Sequence, residues 1–216
     1  MIDWKKDAAG EIKNFVSESE LDNWVSYFKK TSPVEVSTNQ CYGIDENNTI
    51  HYMWFYKIIY SRIQEIFGKD VHLQFGMYLN ENNPWGVHTD AYHTEPFLDR
   101  LPAISMLIPY SVAGKKELVN KSRTIIFNER LDKNDFSLLG ERCPEKESAL
   151  DLYQQHLSHN KKEIIEKLTV LRQFSWSLGS LIYWDSRLLH DSDNFIANGY
   201  RNKQAIVIHT YTKLNG

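Results

Sequence analysis

VHLQFGMYL, residues 71–79, decides how this chain is read, because here apolar residues stop recurring every three or four positions and become a short run rich in β-branched and aromatic side chains. The same character returns in AISMLIPY (103–110), RTIIF (123–127), SLIYW (180–184) and QAIVIHTY (204–211), with Asn, Gly, Pro and Asp between the runs. All five are predicted strands. Upstream the period is helical: SESELDNWVSYFKK (17–30) sets Leu21, Trp24, Val25 and Phe28 on one face, with Ser17 or Ser19 available as N-cap. Residues 49–67 repeat that pattern from Thr49 to a C-capping Gly68. Between the third and fourth strands, residues 147–170 carry a cap-like Ser148 and Asp151 and a face of Leu150, Tyr153 and Leu157. Helices first, then strands with one helical excursion, predict an α+β domain built around a sandwich or barrel, not alternating βαβ units.

The 216 residues suit one domain, 1–216, with a mainly helical region at 1–70 and a strand-rich core at 71–212 that holds an insertion at about 128–172. A formal net charge of -3 leaves no overall positive field for nucleic acid or anionic lipid. Lys115, Lys116, Lys121 and Arg123 form a basic stretch without the interleaved aromatics of a single-strand binder, so it reads as a solvated loop. Two cysteines, Cys41 and Cys143, fall short of a disulfide framework, and the opening residues lack the apolar run of a signal peptide; a cytoplasmic location is expected. No apolar stretch approaches the ~20 residues of a membrane span. Aromatic residues at 13% point to a β-rich core or a ligand-lined cavity.

Chemistry gathers at His88-Thr89-Asp90, which follows the turn-like NENNPWG and is expected to open or occupy a strand, where residues two apart share a face. By itself HxD is as easily a chance pair on a solvated loop. A metal site needs a third ligand, and His190 follows the strand SLIYW by a short turn. Two neutral imidazoles and one carboxylate on one face of an octahedron hold divalent iron and leave adjacent positions open. Arg201, just ahead of the last strand, needs an anionic partner if it enters a buried sheet, and no acid neighbours it in sequence. Phosphate-loop, nucleophile-elbow and dinucleotide motifs are absent.

In order and spacing, His88, Asp90, His190 and Arg201 resemble the motif of the Fe(II)- and 2-oxoglutarate-dependent oxygenases. The resemblance covers residues 71–212. It implies a double-stranded β-helix, a jelly-roll barrel with iron held by His88, Asp90 and His190 at one open end. It further implies 2-oxoglutarate and O2 as co-substrates, with hydroxylation of an unactivated C–H bond and release of succinate and CO2. Tyr78, ten residues before His88, matches a co-substrate-binding tyrosine of the prolyl-hydroxylase-like branch; SLIYWDSRLLHDS is similar to the phytanoyl-CoA-hydroxylase-like branch. The distal carboxylate then falls to Arg201 and Tyr78. Lys203 stands where many members carry Ser or Thr, and is either a second cation in that pocket or, as favoured by the rarity of buried lysine, solvated. Trp85, Tyr92 and His93 are candidates for the substrate wall, His209 for the core, and the insertion for a lid. The expected substrate is a small molecule or a side chain, with no membrane or nucleic-acid partner. A cupin-type isomerase or dioxygenase that does not use 2-oxoglutarate, and a non-catalytic binding domain on the same fold, are the alternatives.

Overall fold

The computed structural model describes residues 2–31, 34–36, 38–44, 53–91, 100–131, 138–139 and 146–213. Its strands are β1 (Ala9–Ile12), β2 (Val34–Val36), β3 (Asn39–Ile44), β4 (His72–Glu81), β5 (Arg100–Val112), β6 (Arg123–Leu131), β7 (Leu138–Leu139), β8 (Val170–Ser175), β9 (Leu181–Asp185), β10 (Leu188–Ser192) and β11 (Lys203–Lys213). They form two antiparallel sheets, a larger one in the order β1-β9-β5-β11-β4-β3-β2 and a smaller one in the order β10-β6-β7 with β8 also on β6. Ile126 and Leu188 of the smaller sheet pack against Ile182, Trp184 and Ala205 of the larger, so the sheets close face to face as a double-stranded β-helix. All five predicted strands form.

Residues 1–70 are less helical than their pattern predicts. α1 (Glu18–Phe28) is present, with the Ser17 hydroxyl accepting from the Glu20 amide, and α2 (Ser61–Phe67) ends at Gly68 with φ 105°. However, β1, β2 and β3 extend both edges of the larger sheet. These short segments take their conformation from an available sheet edge, which their own side-chain pattern does not announce. The helices cover the outer face of the larger sheet, where Leu21, Trp24, Phe28, Ile59 and Ile63 meet Ile104, Met106, Ile206 and Ile208. Gly76 of β4 lies beneath the Phe55 ring, which occupies the space a β-carbon would need.

The insertion is shorter than 128–172, since β6 continues to Leu131 and β8 begins at Val170. After β7, its described part includes a 3-10 turn, Ala149–Leu152, capped by the Ser148 hydroxyl, followed by a wider turn, Tyr153–Leu157. The expected face of Leu150, Tyr153 and Leu157 does not hold: the tighter turn rotates it, so Ala149, Leu152 and Leu157 are buried and Leu150 is exposed. These buried residues cover Ile125, Phe127 and Leu189 on the outer face of the smaller sheet. Among the described residues, no helix is long and apolar enough to cross a membrane.

Candidate metal centre and its cavity

His88 lies in an isolated bridge rather than a strand, yet its partner is His190 of β10. The His88 amide donates to the His190 carbonyl at 3.1 Å and the His190 amide returns the bond at 2.9 Å. Two residues on, the Asp90 amide and the Thr89 hydroxyl both donate to the Ser186 carbonyl, at 3.1 and 2.8 Å. The HTD segment is thereby sewn along the β9–β10 connection, which brings the three predicted metal ligands together. One donor atom from each of His88, Asp90 and His190 lies within 4.8 Å of the others.

The imidazoles are oriented by their far nitrogens. His88 Nδ1 is 2.8 Å from the Gly86 carbonyl and His190 Nδ1 is 3.3 Å from the Leu188 carbonyl. A carbonyl only accepts, so Nδ1 carries a proton in both rings, and in the neutral tautomer the lone pair falls on Nε2. Those Nε2 atoms stand 3.7 and 3.4 Å from the Asp90 carboxylate. Burial lowers the His190 pKa to about 4, which keeps the ring neutral. Burial pushes the Asp90 carboxyl up, but His190, His209 and His88 around it hold it below the usual carboxylate range. Asp90 Oδ2 is buried with no hydrogen-bond partner among the described residues. Two imidazole nitrogens turned toward one ionised carboxylate are a donor set that fits a divalent cation.

The triad opens into a cavity of about 400 Å³. Strand alternation chooses its wall. Met77, Leu79 and Glu81 of β4 face in, as do Lys203, Val207 and His209 of β11. Tyr78 points the other way, into the helix-covered core beside Tyr42 and Tyr110, where burial pushes its hydroxyl pKa up. The expectation that Tyr78 touches a co-substrate is therefore corrected: a spacing of ten was matched, but the pleat sets the face. Arg201 is corrected as well. It is exposed on the turn before β11 and does not line the cavity, because the strand begins at Lys203, held there by register with Glu81 of β4 and Val112 of β5.

Lys203, expected to be solvated, is instead 1% exposed. Its ammonium has no hydrogen bond among the described residues; it lies 3.5 Å from Glu81 Oε2, 3.8 Å from Asp193 Oδ1, and 4.7 Å from the Trp176 ring centroid. His209 is likewise part of the site, with Nδ1 3.2 Å from the Ser105 hydroxyl and 3.8 Å from Asp90. Trp184 stands 4.7 Å from the His190 ring, centroid to centroid, and Trp85 also lines the cavity. Tyr92 and His93 lie outside the described residues. The sequence reading missed Glu81, His209 and Trp184 as site residues; their shared signal is odd-even parity, with Glu81 in step with Met77 and Leu79, and His209 in step with Lys203.

No described residue of the insertion lines the cavity, in contrast to the expected lid. Instead it clasps both ligand-bearing segments. Asn160 Oδ1 accepts from the Val87 amide at 2.9 Å while its Nδ2 donates to Asp191 at 2.5 Å. His159 Nε2 is 3.0 Å from the Trp85 carbonyl and 3.2 Å from Asp191. His159 is thus a structural tie.

No protein-family model matches the chain, and no curated protein matches it in sequence. Solved structures do match in fold. The epimerase SnoN in complex with Fe3+, alpha ketoglutarate and nogalamycin RO is similar at 10% identity and a TM-score of 0.60, over 97% of this chain and 80% of that one. The non-heme alpha ketoglutarate-dependent carbocyclase SnoK from nogalamycin biosynthesis is similar at 11% identity and a TM-score of 0.59, over 97% and 81%. An oxidoreductase of the 2OG-Fe(II) oxygenase family from Burkholderia pseudomallei is similar at 11% identity and a TM-score of 0.58, over 99% and 88%. At these identities the likeness is one of fold.

Proposed function

We propose that this chain is an Fe(II)- and 2-oxoglutarate-dependent oxygenase. The observation that carries the reading is the triad: two imidazoles turned by backbone carbonyls to present Nε2, and one ionised carboxylate, all within 4.8 Å. Their attachment to a fold shared with structures that hold iron and the co-substrate supports it. His88, Asp90 and His190 would hold the iron. With 2-oxoglutarate and O2, that centre supplies the oxidising power to place one oxygen atom in a C–H bond and the other in succinate, with release of CO2.

The residues of the chain do the rest. Lys203, in place of the expected Arg201, is the buried cation that faces the distal carboxylate of 2-oxoglutarate; its side chain lines the cavity, and its ammonium, without a hydrogen bond among the described residues, is suited to a charge-assisted contact. Met77, Leu79, Leu107 and Val207 wall the cavity with apolar side chains, which keeps water from the reacting centre. Trp85 and Trp184 flank the histidines, where they would meet the substrate. The reaction assigned is hydroxylation of an unactivated C–H bond in a small molecule or side chain, carried out by a cytoplasmic protein of one domain.

Anaerobic addition of Fe(II) and 2-oxoglutarate to the apoprotein tests the assignment. A visible charge-transfer band that needs both components is the expected result. Its absence would overturn the reading in favour of a cupin-type enzyme that does not use 2-oxoglutarate, or of a non-catalytic binding domain.

A further inference from the structure

The inner end of the cavity holds more negative charge than a dianionic co-substrate tolerates. Two carboxylates flank the single ammonium of Lys203, and all three groups are at most 5% exposed. They differ in what else they hold. Asp193 Oδ1 accepts from the Ser122 hydroxyl and the Arg123 amide, and Asp193 does not line the cavity. Glu81 uses only Oε1, which accepts from the Trp85 amide at 3.1 Å and the Ser192 hydroxyl at 3.1 Å. Its Oε2 is turned toward Lys203, in the cavity wall.

A carboxylate brought to Lys203 from the cavity therefore arrives beside Glu81. Two carboxylates that share a buried site cannot both stay ionised; one retains a proton, and the repulsion becomes a short, strong hydrogen bond. Around Glu81, Asp191 favours that outcome, while Lys203, the Trp85 amide and the Ser192 hydroxyl favour the ionised form. Asp191 and Ser192 face it from β10, Asp193 from the segment after β10, and Cys41 from β3. Lys203 is the sole cation among the described groups that face it, and the ligand competes for that cation. Burial already pushes the Glu81 carboxyl up, with Lys203, the Trp85 amide and the Ser192 hydroxyl opposing.

We propose that Glu81, in its protonated form, donates a second hydrogen bond to the distal carboxylate of 2-oxoglutarate beside Lys203, so that co-substrate binding takes up one proton from solvent. The inference rests on the oxygenase reading but makes a separate claim. Because the proton is bound only in the complex, affinity falls as pH rises above the value at which free Glu81 ionises, by up to about tenfold per pH unit.

Calorimetric titration of 2-oxoglutarate into the Mn(II)-loaded protein, in two buffers of different ionisation enthalpy near neutral pH, reads the proton directly. About one proton taken up by the wild type, and none by Glu81→Gln with a Kd that no longer changes with pH, is the expected result. Binding by the wild type without proton uptake would overturn the proposal without need of any variant. Undiminished uptake in Glu81→Gln would overturn it too, by placing the proton on Asp193. Failure of 2-oxoglutarate to bind the metal-loaded protein at all is a different result, and it sinks the oxygenase reading itself.

Discussion

His88 and His190 are each other's backbone partners: each donates its amide to the other's carbonyl, at 3.1 and 2.9 Å, although 102 positions separate them in the chain (190 - 88). The same pairing that joins the loop before Asp90 to β10 sets the two imidazoles side by side, with ring centroids 4.2 Å apart. The geometry of the donor atoms is thus inherited from a β-bridge, and changes that leave the bridge intact are expected to spare the fold while they abolish metal binding.

Asp90→Ala is one such change. It removes the only acidic member of the triad, a buried carboxylate whose Oδ2 has no hydrogen bond among the described residues. Anaerobic Fe(II) or Mn(II) titration should show affinity reduced at least about a hundredfold, beyond the 10- to 100-fold typical of outer-shell changes. Circular dichroism should be unchanged.

Replacement of the two cations should separate them sharply. Lys203→Met removes a buried member of a charged cluster, a loss of about 3 to 5 kcal/mol, so its 2-oxoglutarate Kd should rise by about a hundredfold or more. Arg201→Ala should leave the Kd within about twofold, as is usual for an exposed charge. Tyr78→Phe should match the wild type in co-substrate binding, since its hydroxyl faces the helices. A larger effect at Arg201 than at Lys203 would return the anchor to the turn.

Asn160→Ala should loosen the clasp between the loop at 85–88 and β10. The expected reading is metal affinity about tenfold weaker, with the electron paramagnetic resonance spectrum of bound Mn(II) broadened relative to wild type. A variant that only lost stability would melt at lower temperature and keep the wild-type spectrum.

Gly76→Ala places a methyl group against the Phe55 ring. Overpacking of this kind costs about 1 to 3 kcal/mol, measurable as a lower urea midpoint at unchanged slope. Metal binding should persist in the folded fraction, because Gly76 lies on the helix side of β4.

The core of the fold was legible because its strands are long and buried: VHLQFGMYL, AISMLIPY and QAIVIHTY became the three adjacent central strands β4, β5 and β11. β10 was not, although it bears His190, because LLHDS is short and its pairing with β6 is non-local. Within the site, HxD and the distal histidine were readable as a spacing. The proposed anchor was not, for two separate reasons. Arg201 and Lys203 have the same parity, so only the point where β11 begins tells them apart, and that point is set by Glu81 and Val112 across the sheet. Tyr78 failed on parity itself: a one-residue difference carries a side chain from the cavity to the opposite face.

The position of β11 also has a consequence for the order of assembly. It lies between β4 and β5, yet it follows them in the chain by roughly a hundred residues. During synthesis both neighbours emerge long before the strand that must separate and pair them, and each meanwhile presents an open backbone edge. Two such edges, waiting, are the places where a nascent chain associates wrongly. The nascent sheet thus depends on protection until residue 203 arrives, and the event that closes it is the one that sets Lys203 opposite Glu81.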